Sequence, residues 1–357
     1  MVSLMQRRDF LRAGTVLTAG VSGAGCLQTL GFQTQSAWRD PPLVENRPNA
    51  VYYPAVVEGM GTYGTATAGD YQIALMYSYP HRFWNVTGQS KNKVVVDTDD
   101  SLHLMTSIWD SQTETVLPVD MQLRVKKNGE TIDNRAPWPM LSQTMGFHYG
   151  DNVTLDGGGQ YTAVIKAGPL QVNRTGAFTS RFTKQISVEI PFKFDTNEVY
   201  NLKYRKLGEK QGTRGAVKPM MQSVPPGRAP PKKALPGRIL ATKTSSDADF
   251  VVTLIEAENR FTTNGQYLAV SARTPYNRFA LPRMSLSSTI NREGGKTDKT
   301  RLKATLDPQL GYHYGTTVNS LKSGDTVQIA VDSPPQVARH DGYETTFLEM
   351  KSVKVTV

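Results

Sequence analysis

Imidazole and thioether groups are the side chains of this sequence most able to do chemistry. There are five histidines, His81, His103, His148, His313 and His340, and a single cysteine, Cys26. His103 and Met105 stand two apart in a run that predicts a strand, so their side chains share one face. Met140 lies shortly before His148, and Pro139 predicts a bend that lets the two flank one loop. With no cysteine pair, the candidate metal ligands are His, Met and carboxylate. Imidazole with thioether suits copper, Cu(I) especially, whereas iron or zinc calls for an oxygen in place of Met. Asp97, Asp99, Asp100 or Asp151 would shift that balance by reaching in. There is no nucleophile elbow, no phosphate-cradling glycine loop after a strand and no His-Glu-x-x-His, so no enzyme is expected. A plainer role stays open for each group: a turn imidazole bonded to backbone for His148 and His313, and core filling for His103 and Met140. His81, in Tyr79-Pro80-His81-Arg82-Phe83, reads as a loop or edge residue.

The elements that position these residues are short and β-rich. Tyr71-Gln72-Ile73-Ala74-Leu75, Met121-Gln122-Leu123-Arg124-Val125 and Ile186-Ser187-Val188-Glu189-Ile190 are typical, with Asn128-Gly129 and Asp156-Gly157-Gly158-Gly159 as turns. No window sustains a helical apolar period. The second half repeats the first. Gly146-Phe147-His148-Tyr149-Gly150 returns as Gly311-Tyr312-His313-Tyr314-Gly315, and Leu117-Pro118 as Leu281-Pro282. Pro169 to Thr175 stays in register with Pro334 to His340, so His340 stands where the first copy has Thr175. A period this long marks tandem domains, not a solenoid. The expected fold is all-β: two tandem immunoglobulin-like antiparallel sandwiches, at residues 51–200 and 245–357.

The net charge of +10 is local. Between Lys203 and Arg238 ten Lys or Arg face one acid, Glu209, and the domains themselves are close to neutral. That distribution argues against a nucleic-acid partner. Residues 201–244, rich in Pro, are expected to be a solvated linker, with anionic lipid or surface polymer as the other reading. Arg7-Arg8-Asp9-Phe10-Leu11 resembles the twin-arginine export signature, and Gly23-Ala24-Gly25-Cys26 a lipoprotein processing box. Residues 1–25 would be the signal, Cys26 the lipidated first residue and 26–50 a tether, on the outer face of the cytoplasmic membrane.

Pro139-Met140, then Gly146 to Val153, then Gly159-Gln160-Tyr161, resembles the periplasmic Fe2+-transport accessory family. Those are small Ig-like proteins that bind copper or other divalent metals and assist iron uptake with a partner permease. The resemblance implies a strand His-x-Glu, a Pro-Met, the His-Tyr-Gly block and a late His after Pro-Pro. Carried over, the first domain supplies His103, Met140 and His148, with Met105 where the family has Glu. The second supplies His313 and His340 but has Tyr267 and Thr305 at the other two positions. Family members form dimers, so the resemblance also implies pseudo-dimeric packing of the two domains. The losses are complementary. They imply one composite site of His103, Met140, His148 and His340, the alternative being the first three alone. The expected function is binding of a copper or iron ion to assist uptake. The alternative is a surface structural or interaction protein on the same scaffold without a working site.

Overall fold

Alternation decides most of the local structure. Met121–Lys127 and Ile186–Phe194 are strands that bury alternate side chains, Met121, Leu123 and Val125 in the first and Val188, Ile190, Phe192 and Phe194 in the second, as their period-two pattern requires. The computed structural model describes residues 41–220, 223–256, 260–292 and 295–357, all within one compact unit. No helix among them is long and apolar enough to cross a membrane. Cys26, Arg7 and Arg8 lie outside the described residues.

The first half is a sandwich. One sheet has the order Ile186–Phe194, Gly159–Ala167, Met121–Lys127, Glu130–Arg135. The other runs Gly61–Ala68, Tyr71–Ser78, Leu102–Asp110, Gly146–Val153, Trp138–Ser142, Ala338–Arg339, Phe83–Thr87, Ser90–Val94. Leu104, Ile108 and Tyr149 from the second sheet share a core with Leu123, Ile165 and Phe192 from the first. Burying such side chains is worth about 1.5–3 kcal/mol each.

The second half orders Ala248–Ile255, Gln266–Arg273 and Gly311–Val318 as the first orders Tyr71–Ser78, Leu102–Asp110 and Gly146–Val153. Its Thr297–Asp307 strand serves both layers, pairing first with Ser285–Asn291 and then with Gly311–Val318. In the first half the equivalent chain is cut into Glu130–Arg135 and Trp138–Ser142 by Ala136-Pro137, where proline offers no N–H to continue a ladder.

The halves exchange arms. Asn173–Arg174 pairs in parallel with Thr305–Leu306, and Ala338–Arg339 pairs in parallel with Met140–Leu141. The buried Arg339 wraps back onto its own chain, donating to the carbonyls of Val337 and of Pro335 (2.9 Å). That curl and the His340 N–H bond to Leu141 O (3.2 Å) fix where the arm ends.

Two expectations need correction. The 201–244 stretch is laid onto the molecule, not free in solvent. Val217, Val224, Ala229 and Leu235 are buried, Arg228 bridges Phe279, and Arg238–Ser245 is an edge strand on Ala248–Ile255. Widely spaced apolar residues suffice to pin an extended chain while its Lys and Arg side chains stay exposed. Likewise residues 41–50 of the expected tether belong to the packed unit. Ala50 is buried, the Pro41 carbonyl accepts from Arg82, and Val51 N–H donates to Asp247 (2.6 Å).

Candidate metal centre

His103 sits near the start of the Leu102–Asp110 strand, in register with Asn152. Met140 and His148 are direct cross-strand partners on Trp138–Ser142 and Gly146–Val153. Such partners lie side by side on one sheet face. The expected loop around Pro139 and His148 is therefore a strand pair, with Pro139 accommodated opposite Tyr149. The turn between them needs glycine at Gly146: φ is +71°, and an added Cβ would lie 1.9 Å from Pro226 O. His148, Gly150 and Asn152 alternate along one face. His340 enters from the exchanged arm, and His81 from the link between Tyr71–Ser78 and Phe83–Thr87.

These side chains converge. The His81 ring lies over His103 with centroids 4.1 Å apart. His340 is 5.3 Å from His148 and 5.8 Å from His103 by the same measure. One ring nitrogen each of His81, His103 and His340 lies within 4.8 Å of the others. His81, His103, His148 and Met140 are buried; His340 keeps an edge toward solvent, but its Nε2 is shut away.

Hydrogen bonds fix the protons. Asn152 Nδ2 donates to His81 O (3.0 Å), which turns Asn152 Oδ1 toward His103 Nδ1 (2.8 Å). His103 therefore carries its proton on Nδ1. His148 donates from Nδ1 to Gly146 O (3.1 Å). Nε2 of His103, His148 and His340 are all buried without a hydrogen-bond partner. Burial holds His148 down to about 4, and burial with neighbouring imidazoles adding to it holds His81 to about 4 and lowers His103 and His340 well below the ordinary imidazole value. At neutral pH the rings are uncharged, the form that binds metal. Orphaned nitrogens of this kind are costly unless something fills the space they face.

Gly150 keeps that space open. A Cβ there would stand 2.7 Å from His103 Nε2 and 3.1 Å from Met140 Sδ. Gly150→Ala is expected to abolish metal uptake while the far-ultraviolet circular dichroism stays native. Retention of a full metal equivalent would contradict that placement.

Thus His103, Met140, His148 and His340 form one cluster. Met105 lines a small cavity beside it with Met60, Met145 and Glu58. His313 is elsewhere, in the second half. Its Nδ1 donates to Gly311 O (3.0 Å) as His148 does to Gly146, but its Nε2 is met by the Tyr267 hydroxyl at 3.1 Å. Thr305 faces His313 where Met140 faces His148. Thr175, at the position of His340, donates to Asp307 (2.8 Å), which Arg260 also grips at 2.7 Å. A phenol and an ion pair fill what the first half leaves open.

Sequence reasoning missed His81, Asn152 and Glu58. The Asn152 signal was present, two residues beyond Gly150 on the face of His148. Glu58 Oε2 stands 3.0 Å from His81 Nδ1. Burial and the Asp341 carboxylate push Glu58 up to about 8.

Residues 112–205 match the family model described as "Fe2+ transport protein", and residues 233–356 match one described as "Domain of unknown function (DUF7350)". No curated protein matches the chain. Among solved structures, FetP of uropathogenic Escherichia coli strain F11 is 20% identical, with 38% of this chain and 95% of that one covered at a TM-score of 0.30. The copper-reconstituted P19 protein of Campylobacter jejuni is 16% identical, with 38% and 96% covered at 0.31. Residues 112–205 are thus similar to the Fe2+ transport protein family, the family that the Pro139-Met140 and Gly146 to Gly150 blocks resemble.

Proposed function

We propose that this protein binds one copper or iron ion outside the cytoplasmic membrane, through His103, Met140, His148 and His340. The carrying observation is the three orphaned, buried Nε2 atoms, with the His148 and His103 ring centroids 5.3 and 5.8 Å from that of His340, and His103 Nε2 and the Met140 thioether both set against Gly150. Copper is favoured over ferrous iron. Three neutral imidazoles and a thioether are a soft donor set, and burial of the nearby Glu58 disfavours its charged form. The ion is cargo, held for uptake by a partner permease. The repeat is read as a tandem duplication in which one of two equivalent sites has been kept. The twin-arginine motif and Cys26 are read as export and lipid anchoring, which would hold the centre at the outer face of the cytoplasmic membrane.

The test is metal analysis of the full chain purified without chelator. About one copper equivalent is expected, and none from a His148→Ala, Met140→Leu double variant. Two equivalents would contradict the filled state of the His313 position. No metal at all would favour the scaffold reading.

A further inference from the structure

His81 is not among the three histidines with orphaned nitrogens, yet it touches two of them. Its ring lies over His103, and its Nε2 is 3.2 Å from His340 Nδ1. Its backbone N–H donates to Asn152 Oδ1 (3.4 Å), the oxygen that also holds His103. On its other side, His81 Nδ1 faces Tyr79 O at 3.1 Å and Glu58 Oε2 at 3.0 Å.

A neutral imidazole has one N–H and one lone pair. A backbone carbonyl only accepts, so the His81 proton sits on Nδ1 and its Nε2 carries the lone pair. The nitrogen facing that lone pair, His340 Nδ1, must then be the donor. His340 Nε2 is left bare, in agreement with its lack of a partner. His340 lies just beyond a two-residue strand, Ala338–Arg339, so the strand alone does not set its ring.

We propose that His81 is the positioning residue of this centre, fixing the tautomer and orientation of the imidazole that the second half contributes. This rests on the metal-centre reading above. His81 acts through His340: it takes the His340 Nδ1–H and so presents Nε2 to the ion. The chain Glu58–His81–His340 joins the first half to the arm, and the donor set is complete only when the arm is docked. Outer partners of metal-bound histidines commonly matter this way, their loss costing about 10–100-fold in affinity.

The experiment uses the full chain with His81→Leu, which removes the acceptor, and His81→Gln, which keeps one. In metal-free protein, nitrogen-15 NMR should show His340 as the Nδ1–H tautomer in the native chain and the glutamine variant. The leucine variant should show a mixture. Copper(I) competition titrations should weaken about 10–100-fold in the leucine variant, with most of the loss recovered by glutamine. Pulsed EPR of copper(II)-loaded protein should count three coordinated imidazoles in all forms. A count that drops by one when His81 is replaced would make His81 a ligand and overturn the proposal. An unchanged tautomer and affinity in the leucine variant would overturn it too. If leucine prevents folding, His81→Asn, too short to reach His340, replaces it. A native chain that takes up no copper would sink the metal reading, while the metal-free tautomer measurement still decides the His81–His340 contact.

Discussion

His340→Ala is expected to lower copper affinity by roughly a hundredfold or more while the protein stays folded. Losing an outer hydrogen-bond partner already costs about 10–100-fold, and here a donor nitrogen itself goes. The arm keeps its ladder, since Ala338–Arg339 and the residue-340 backbone make the pairing contacts. The matched control is His313→Ala. It should leave copper binding untouched but take from the buried Tyr267 hydroxyl its His313 partner, at a cost of about 0.5–1.5 kcal/mol in stability. Competition titration and urea unfolding of both variants separate these effects. Equal affinity in native and His340→Ala protein would reduce the centre to the first half's three donors.

Metal-free protein is expected to lose stability between pH 6.5 and 4. His81, His148 and His313 are held to about 4 by burial, against an ordinary value near 6.5. Within that window the unfolded chain binds protons that the folded chain refuses. Stability therefore falls as the pH drops through the window. A displacement of that size is worth ~3 kcal/mol for one imidazole, and Glu58, held up to about 8, offsets part of the loss because the folded chain takes that proton before the unfolded chain does. Bound copper should move the loss to lower pH, because protons must then displace the ion. Thermal melts of metal-free and copper-loaded protein across pH 7.5 to 4 would show this. A flat melting temperature in the metal-free series would contradict it.

How much was legible depended on whether a position left a mark in local sequence. The repeat did: His340 against Thr175, and Tyr267 against His103, pointed to donors drawn from both halves, and these come together across the exchanged arms. The all-β class followed from short alternating runs. Strand identity around Pro139 and the Gly146 to Gly150 block did not, because proline and paired glycines mimic turn chemistry. Pairing with each other, with Leu102–Asp110 and with the Ala338–Arg339 arm makes them strands. His81 and Glu58 were illegible for a similar reason. Each is unremarkable among its sequence neighbours and gains meaning through partners such as His340, Asn152 and Asp341, far away in the chain. The 201–244 connector misled through composition: its charge and prolines masked the few apolar residues that pin it.

Copper K-edge X-ray absorption on the Cu(I)-loaded full chain tests the central claim most directly. The account predicts one sulfur scatterer together with imidazole nitrogens, and loss of the sulfur alone in Met140→Leu. A first shell of nitrogen and oxygen without sulfur, or a spectrum indifferent to Met140, would contradict it.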